Sequence, residues 1–111
     1  MPGTKKQEKV IMMSNGLLYR NKFVEFDEES MLILRTLLKT DIIPSNEILK
    51  IVEKDQFSPA HNERIKVQKI SDLNIKLRTL LGVNKEIISS VKSDVDKRIR
   101  QYKINKSYFN F

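Results

Sequence analysis

Residues 67–82 of the chain read VQKISDLNIKLRTLLG. Apolar side chains recur every three or four residues here, which places them on one face of an α-helix. The predicted buried face comprises Val67, Ile70, Leu73, Asn74, Leu77, Leu80 and Leu81. We expect the helix to end at Gly82, because glycine adopts a left-handed backbone conformation at little cost. The stretch therefore predicts an amphipathic helix with one polar face.

The polar face of this helix has residue types that contact DNA. Gln68 and Asp72 point away from the buried face on a helical wheel, and Arg64, Lys69 and Lys76 flank them. Glutamine can pair with adenine, aspartate can accept a hydrogen bond from the amino group of cytosine, and cations bind phosphates. We therefore predict base contacts by Gln68, Asp72 and Lys76, and DNA backbone contacts by Arg64 and Lys69. An ordinary solvated helix surface is the alternative interpretation, and the helix pattern alone favours it.

Two isoleucines are also expected to point outward. Ile65 and Ile75 fall outside the predicted buried face. An exposed isoleucine suits contact with a thymine methyl group or with a partner protein better than it suits a plain solvated surface.

Positive charge is concentrated in the second half of the chain. Of the 111 residues, residues 1–60 contain 9 Lys and Arg and 9 Asp and Glu, whereas residues 61–111 contain 12 and 5. The whole net charge of +7 therefore belongs to residues 61–111. Such asymmetry is typical of a surface that faces a polyanion, although solubility is an alternative explanation.

Several functional classes are not expected from this sequence. There is no cysteine, which excludes disulfides and thiolate catalysis and argues against the usual structural zinc sites. No apolar run reaches the roughly 18 residues of a membrane span, and the N-terminus lacks the apolar segment of a secretory signal. His61 is the single histidine, and no nucleophile, base or glycine-rich phosphate loop accompanies it. We expect no catalysis, cofactor, metal or membrane contact, and a cytoplasmic, nucleoid-associated protein.

The residues before the long helix predict strands followed by two helices. Residues 10–26 carry short apolar runs separated by an Asn15-Gly16 turn, where positive φ is tolerated, and by a second turn near Asn21. Asp27 and Ser45 are the expected N-caps of the two helices. Their predicted buried residues are Met31, Leu34, Leu37 and Leu38, then Ile48, Leu49 and Val52. The first helix is expected to end near residue 41, and the Ser-Pro dipeptide predicts that residues 55–61 form a loop.

The C-terminal part predicts a basic β-hairpin. Residues 86–92 and 98–104 are β-prone segments joined by residues 93–97. The candidate DNA-contacting residues of this hairpin are Ser90, Lys92, Lys97, Arg98 and Arg100. Alternation along the second strand places Arg98, Arg100 and Tyr102 on one strand face. Charge on an edge hairpin also protects against aggregation, which is the alternative reading of these cations.

The order and spacing of five short motifs resemble the OmpR/PhoB family of bacterial effector domains, including its ToxR-like members. The motifs are FDEESMLILRTLL (26–38), DIIPSNEIL (41–49), ISDLNIKLRTLL (70–81), IISSVKS (87–93) and YKI (102–104). The resemblance implies an α+β winged helix-turn-helix fold with a small N-terminal antiparallel sheet, three helices and a C-terminal β-hairpin wing. The resemblance covers about residues 21–104. From the sequence pattern we expect the domain to span residues 10–104, between a flexible arm (1–9) and a tail (105–111) whose aromatic residues either cover a core edge or are mobile.

The resemblance also implies how DNA is bound. The third helix would enter the major groove and the wing would reach the minor groove, with Lys92 matching the family's minor-groove arginine and Ser90 its neighbouring threonine. The family's glycine-x-glycine wing turn is absent, and Asp72 and Asn74 stand where many members have arginine, so the family's sequence preference does not transfer. Family members often bind as pairs on repeated half-sites. We expect no receiver domain in this chain, and control by abundance, a partner protein or a small ligand.

The sequence thus predicts a sequence-specific double-stranded DNA-binding transcriptional regulator. One alternative is a winged-helix interaction module that docks RNA polymerase or another regulator through Ile65, Ile75 and the aromatic tail. Another is a nonspecific nucleic-acid-binding protein. Binding that survives high salt favours the first alternative, and affinity that ignores sequence favours the second.

Overall fold

The computed structural model describes residues 8–110, which form an α+β fold of three α-helices and two sheets. In chain order the elements are β1 (Val10–Met12), β2 (Gly16–Tyr19), β3 (Lys22–Glu25), α1 (Glu28–Lys39), β4 (Ile43–Pro44), α2 (Ser45–Val52), α3 (Pro59–Leu81), β5 (Ile88–Lys92), β6 (Arg100–Ile104), a short 3-10 helix (Lys106–Tyr108) and β7 (Phe109–Asn110). Most of the arm predicted at residues 1–9 lies outside the described residues.

The N-terminal sheet has the strand order β3-β2-β1-β7. Strands β1 to β3 form the predicted antiparallel meander, but β7 pairs with β1 in parallel, so the prediction of a purely antiparallel sheet is wrong. Phe109 of β7 lies opposite Val10 of β1, and both side chains are buried. The aromatic tail therefore covers a core edge, because burying Phe109 removes a large apolar surface from water.

The turns of the meander differ in detail from the prediction. Positive φ occurs at Arg20 (51°) and Asn21 (64°), between β2 and β3, and not at Gly16. Gly16 is required for a different reason: a Cβ added there would collide with the carbonyl oxygen of Val24 and lie 2.7 Å from the ring of Phe23. The prediction of a hairpin is confirmed, whereas its assumed backbone conformation at Gly16 is wrong.

The first two helices pack their predicted faces into the core, except that Leu49 of α2, predicted to be buried, is only half-buried and lines a cleft. Asp27 caps α1 by accepting a hydrogen bond from the backbone N–H of Ser30 at 3.0 Å, as predicted. The buried apolar residues of these helices include Met31, Leu34, Leu37, Leu38, Ile48 and Val52. The N-cap of α2 is Pro44 and not the predicted Ser45. The hydroxyl of Ser45 instead accepts a hydrogen bond from Nζ of Lys66.

Helix α3 begins earlier than predicted. Residues 59–61 were predicted to be part of a loop, yet Pro59 is the first helical residue and His61 lies in the first turn. The hydroxyl of Ser58 caps this turn by accepting from the N–H of His61 at 3.1 Å. Proline suits the first helical position because a backbone N–H there would have no intrahelical acceptor, so its absence costs no hydrogen bond. The helix ends at Gly82 with a φ of 68°, which confirms the predicted terminator.

The buried face of α3 is rotated slightly from the predicted one. Ile70, Leu73, Asn74, Leu77 and Leu80 are buried as predicted. Val67 is 53% exposed, so its predicted burial is wrong, and Ile65, predicted to point outward, packs against the core. The reason is that Asn62 and Lys66 continue the buried face in the N-terminal half of α3, which leaves Val67 beside that face. Ile75 is 50% exposed, as predicted.

The second sheet has the order β4-β6-β5 and contains the predicted hairpin. Its third strand was not predicted: β4, in the connection between α1 and α2, pairs with β6 through Ile43 and Tyr102. The prediction that Arg98, Arg100 and Tyr102 share one strand face is confirmed for Arg100 and Tyr102 and wrong for Arg98, which precedes β6; the side chain of Tyr102 is buried. Arg100 lies on the same face of β6 as Tyr102, so this face is buried at Tyr102 and exposed to solvent at Arg100.

No helix formed by residues 8–110 combines the length and the apolar character needed to cross a membrane.

Candidate nucleic-acid interface

Helix α3 presents one exposed surface that faces away from the core. The side chains of this outer face of α3 are Arg64, Val67, Gln68, Ser71, Asp72, Ile75 and Thr79. These positions are one, three or four residues apart, and together they lie along one side of the helix. The outer face therefore brings together Arg64, Gln68 and Asp72 of the predicted contacts, and leaves out Lys69 and Lys76.

The two predicted base-reading residues contact each other. Nε2 of Gln68 donates a hydrogen bond to Oδ1 of Asp72 at 2.9 Å, and both side chains are exposed. An ionised aspartate only accepts hydrogen bonds, so it orients the amide of Gln68. The amide oxygen and the second N–H of Gln68 remain available to a ligand. The pair thus presents one donor and one acceptor of glutamine, in the arrangement that adenine requires.

Lys69 lies on a flank of α3 and holds a structural position. Its Nζ lies 2.5 Å from Oδ2 of Asp27 and 3.6 Å from Oε1 of Glu29, and its side chain is 19% exposed. Partial burial would lower the pKa of Lys69, but the hydrogen bonds and charges of the two carboxylates raise it. Partial burial likewise acts to raise the pKa of Asp27, which hydrogen bonds from Lys69 and Ser30 nevertheless lower to about 2. The phosphate contact predicted for Lys69 receives no support from this geometry.

Lys76 lies on the same flank, about two turns further along α3. Its Nζ is 3.4 Å from the carbonyl oxygen of Glu25 and 4.8 Å from the ring centre of Phe26, a cation–π arrangement. Both lysines therefore contact residues 25–29, which we call the β3–α1 corner. Their role in the structure is to fix α3 against this corner, and the base contact predicted for Lys76 is likewise unsupported.

Arg64 and Lys66 have opposite environments although they are two residues apart. The side chain of Arg64 is exposed and makes no hydrogen bond or ion pair with any of residues 8–110. The side chain of Lys66 is 3% exposed, and its Nζ pairs with Glu63 and lies 5.7 Å from the ring centre of Tyr102. Lys66 was not identified from the sequence, although its spacing of four residues from Ile70 places it on the buried face.

Asn74 connects α3 to the β5–β6 hairpin. Its Oδ1 accepts hydrogen bonds from the N–H groups of Ile87 (3.1 Å) and Ile88 (2.8 Å), and its Nδ2 donates to the carbonyl oxygen of Ile88 (2.9 Å). All of these groups are buried. Sequence reasoning placed Asn74 on the buried face but missed its role, for which a single polar residue in an apolar helix face was the available signal. Asn74 thereby fixes the start of β5 relative to α3.

Three of the predicted hairpin residues lie together. Lys92 and Arg100 are opposite one another in the β5–β6 register, and Nη1 of Arg100 donates to Oγ of Ser90 at 3.2 Å. All three are exposed, on the strand face that is buried further along at Tyr102. Arg100 also lines a cleft together with Glu63 of α3, so this end of the hairpin lies beside the N-terminal half of α3.

The turn of the hairpin is held by side chains instead of glycine. Oγ of Ser93 accepts from the N–H groups of Val95 (3.2 Å) and Asp96 (3.4 Å). The carboxylate of Asp96 accepts from the backbone N–H of Arg98 and from its guanidinium, at 3.0 to 3.1 Å. These hydrogen bonds lower the pKa of Asp96 and raise the pKa of Arg98. Arg98 therefore stabilises the turn, whereas Lys97 is exposed and makes no ion pair within residues 8–110.

Comparisons of the chain with protein-family models, with curated proteins and with solved structures found no match. In the part of the chain that the structure describes, no three His, Asp or Glu side chains are grouped so that they could hold a metal ion. His61 packs edge-on against Phe57, with 4.5 Å between the ring centres. Functional inference therefore depends on the outer face of α3 and on the hairpin beside it.

Proposed function

We propose that this protein is a winged-helix regulator of transcription that binds specific sequences of double-stranded DNA. The outer face of α3 enters the major groove, and the β5–β6 hairpin acts as the wing at the adjacent minor groove. The observation that carries this proposal is the outer face of α3, which holds Arg64 and the Gln68–Asp72 pair, on a helix whose N-terminal half shares a cleft with Arg100 of the hairpin. A helix of this kind fits the major groove, which is about 12 Å wide.

The order of the elements supports the winged-helix assignment. Helices α1, α2 and α3 contribute their buried faces to one core, and the hairpin follows α3 directly. The N-terminal sheet precedes α1, as the resemblance to the OmpR/PhoB family implies. In helix-turn-helix proteins this packing leaves the outer side of the last helix free for the groove.

The contacts in this proposal are a subset of those predicted from sequence. Gln68 and Asp72 contact bases, and Arg64 binds a phosphate of the DNA backbone. Ser90, Lys92, Lys97 and Arg100 contact DNA from the wing. Lys69 and Lys76 stabilise the position of α3 against residues 25–29, and Arg98 stabilises the turn of the hairpin.

The charge of the proposed contacts predicts how the affinity for DNA depends on salt concentration. Residues 88–104 contain five Lys and Arg and two Asp, a net charge of +3. Each phosphate neutralised by a cation contributes about −0.9 to the slope of log affinity against log salt concentration. Arg64, Lys92, Lys97 and Arg100 together are therefore expected to give a slope of about −3 to −4.

The experiment that tests the proposal is selection of bound sequences from a random duplex pool at near-physiological salt. Wild type is expected to enrich a defined motif, which becomes degenerate in Gln68→Ala/Asp72→Ala. The double variant Asp55→Ala/Gln56→Ala is a matched control, because it removes the same residue types from an exposed loop. Absence of enrichment by wild type would overturn the proposal, and two copies of the motif at fixed spacing would indicate binding as a dimer.

One observation favours a protein-docking function as a second candidate. Ile11, Leu18 and Phe23 lie in register across β1, β2 and β3, and Ile11 and Phe23 are 44% and 46% exposed. This apolar row replaces the surface predicted from Ile65 and the aromatic tail, because Ile65 and Phe109 pack into the core. The candidate requires binding to RNA polymerase or another regulator that persists at high salt and is lost in Phe23→Ser.

A further inference from the structure

The outer face of α3 contains two exposed apolar side chains among its polar residues. Val67 is 53% exposed and Ile75 is 50% exposed, whereas Ile70, Leu73, Leu77 and Leu80 on the same helix are buried. Single exposed apolar residues are common on protein surfaces and need no explanation. Val67 and Ile75 differ because they lie on one side of one helix, eight residues apart, with Ser71 between them.

The charged and polar side chains around Val67 and Ile75 indicate which kind of ligand this surface binds. Arg64 lies one turn before Val67, and the Gln68–Asp72 pair lies beside both apolar residues. Arg98 and Arg100 of the hairpin share a cleft with Glu63 and Lys66 in the N-terminal half of the same helix. A polyanion is the ligand that complements this charge, and the major groove of DNA offers one apolar group to it, the C5-methyl group of thymine.

We propose that Val67 and Ile75 read thymine methyl groups in the major groove, so that the preferred sites contain thymines at a defined spacing. Eight residues of α-helix span about 12 Å, and base pairs are about 3.4 Å apart. The two thymine positions are therefore about three or four base steps apart. This inference rests on the proposed function, since it assigns a specificity to the same surface.

The test replaces thymine by deoxyuridine, which removes the methyl group and leaves the base pair unchanged. A duplex obtained from the pool selection is compared with the same duplex in which the thymines of the motif are deoxyuridines. Loss of each buried methyl contact is expected to weaken wild-type binding about fourfold, so loss of both should weaken it about fifteenfold. Val67→Ser and Ile75→Ser should each remove the sensitivity at one thymine position, and the double variant should bind both duplexes equally.

Leu32→Ser provides the matched control. Leu32 is 49% exposed but lies on α1, outside the outer face of α3, so this variant should retain the full sensitivity of wild type. Equal binding of wild type to the thymine and deoxyuridine duplexes, a motif without thymine, or sensitivity that persists in the double variant would each overturn the inference while the proposed function stands. Absence of binding to any duplex would overturn both.

Discussion

Nζ of Lys69 lies 2.5 Å from Oδ2 of Asp27, which joins the middle of α3 to the residue that caps α1. This ion pair distinguishes Lys69 from Arg64, whose side chain is exposed on the same helix and has no partner among residues 8–110. Two basic residues of the same helix therefore have different roles: Lys69 stabilises the fold, whereas Arg64 is left available to bind a ligand.

We expect Lys69→Met to lower the free energy of unfolding by about 1 kcal/mol, because it removes a partly exposed ion pair. Arg64→Ala should leave the free energy of unfolding unchanged and weaken binding to duplex DNA. Urea unfolding and DNA titration of both variants measure the two effects. A loss of DNA affinity in Lys69→Met at unchanged stability would instead support the phosphate contact that the sequence predicted.

The low pKa of Asp27 predicts how stability depends on pH. Its folded-state value of about 2 lies below the ordinary 3.8, so the unfolded chain binds more protons between these values. The stabilisation by ionised Asp27 is complete above about pH 4 and is lost as the pH falls through about 2. Asp27→Asn keeps an oxygen that can cap α1 but removes the charge, so its stability should fall less steeply between pH 4 and pH 2.

Urea unfolding of wild type and Asp27→Asn at several pH values from 7 to 2 measures this difference. Asp55→Asn is the control, because Asp55 is an exposed carboxylate with no ion pair among the described residues, and it should keep the wild-type pH dependence. Parallel curves for wild type and Asp27→Asn would contradict the prediction.

Asn74 is expected to be the polar residue of α3 whose loss costs most stability. Asn74→Ala leaves the N–H groups of Ile87 and Ile88 and the carbonyl oxygen of Ile88 without their partner. Unpaired buried polar groups cost about 1 kcal/mol or more each, so the free energy of unfolding should fall by about 3 kcal/mol. Ser71→Ala, at an exposed position of the same helix, should change it by less than about 0.5 kcal/mol. Equal effects of the two substitutions would show that the three hydrogen bonds contribute little.

The wing cations are expected to bind phosphate and therefore to act through salt dependence. Lys92→Ala/Arg100→Ala should make the slope of log affinity against log salt less negative by about 2, with the preferred sequence retained. Lys22→Ala/Lys39→Ala removes two exposed lysines from β3 and α1 and should leave the slope unchanged. If the slope of the wing variant equals that of wild type, the hairpin does not neutralise phosphates.

Features that depend on neighbouring residues were predictable from the sequence. The cap of α1 by Asp27 follows from the residues next to it, and the end of α3 at Gly82 follows from glycine's tolerance of positive φ. The buried faces of the helices follow from periodicity, because apolar residues that recur every three or four positions form one side of a helix, and this side packs away from water. Only positions at the margin of a face, such as Val67, were assigned wrongly, because a small rotation of the helix decides their exposure.

Features that depend on distant residues were not predictable in this way. β4 and β7 have two residues each, too few for a periodic signal, and their partners Tyr102 and Val10 are far away in sequence. By residue type alone, Lys66, Lys69 and Lys76 cannot be told from lysines that have no partner. What distinguishes them is the position of Glu63, Asp27 and Phe26 after folding, which no local pattern of α3 contains.

The pairing of β4 with β6 has a consequence for the thermodynamics of binding. The hairpin is fastened on one side by β4 and at its base by Asn74, so its position relative to α3 is already set in the free protein. Little conformational entropy then remains to be lost on association, because only exposed side chains such as Lys92 and Arg100 have to be ordered. In the proposed complex, this preorganised hairpin would reduce the conformational entropy that the protein loses on binding.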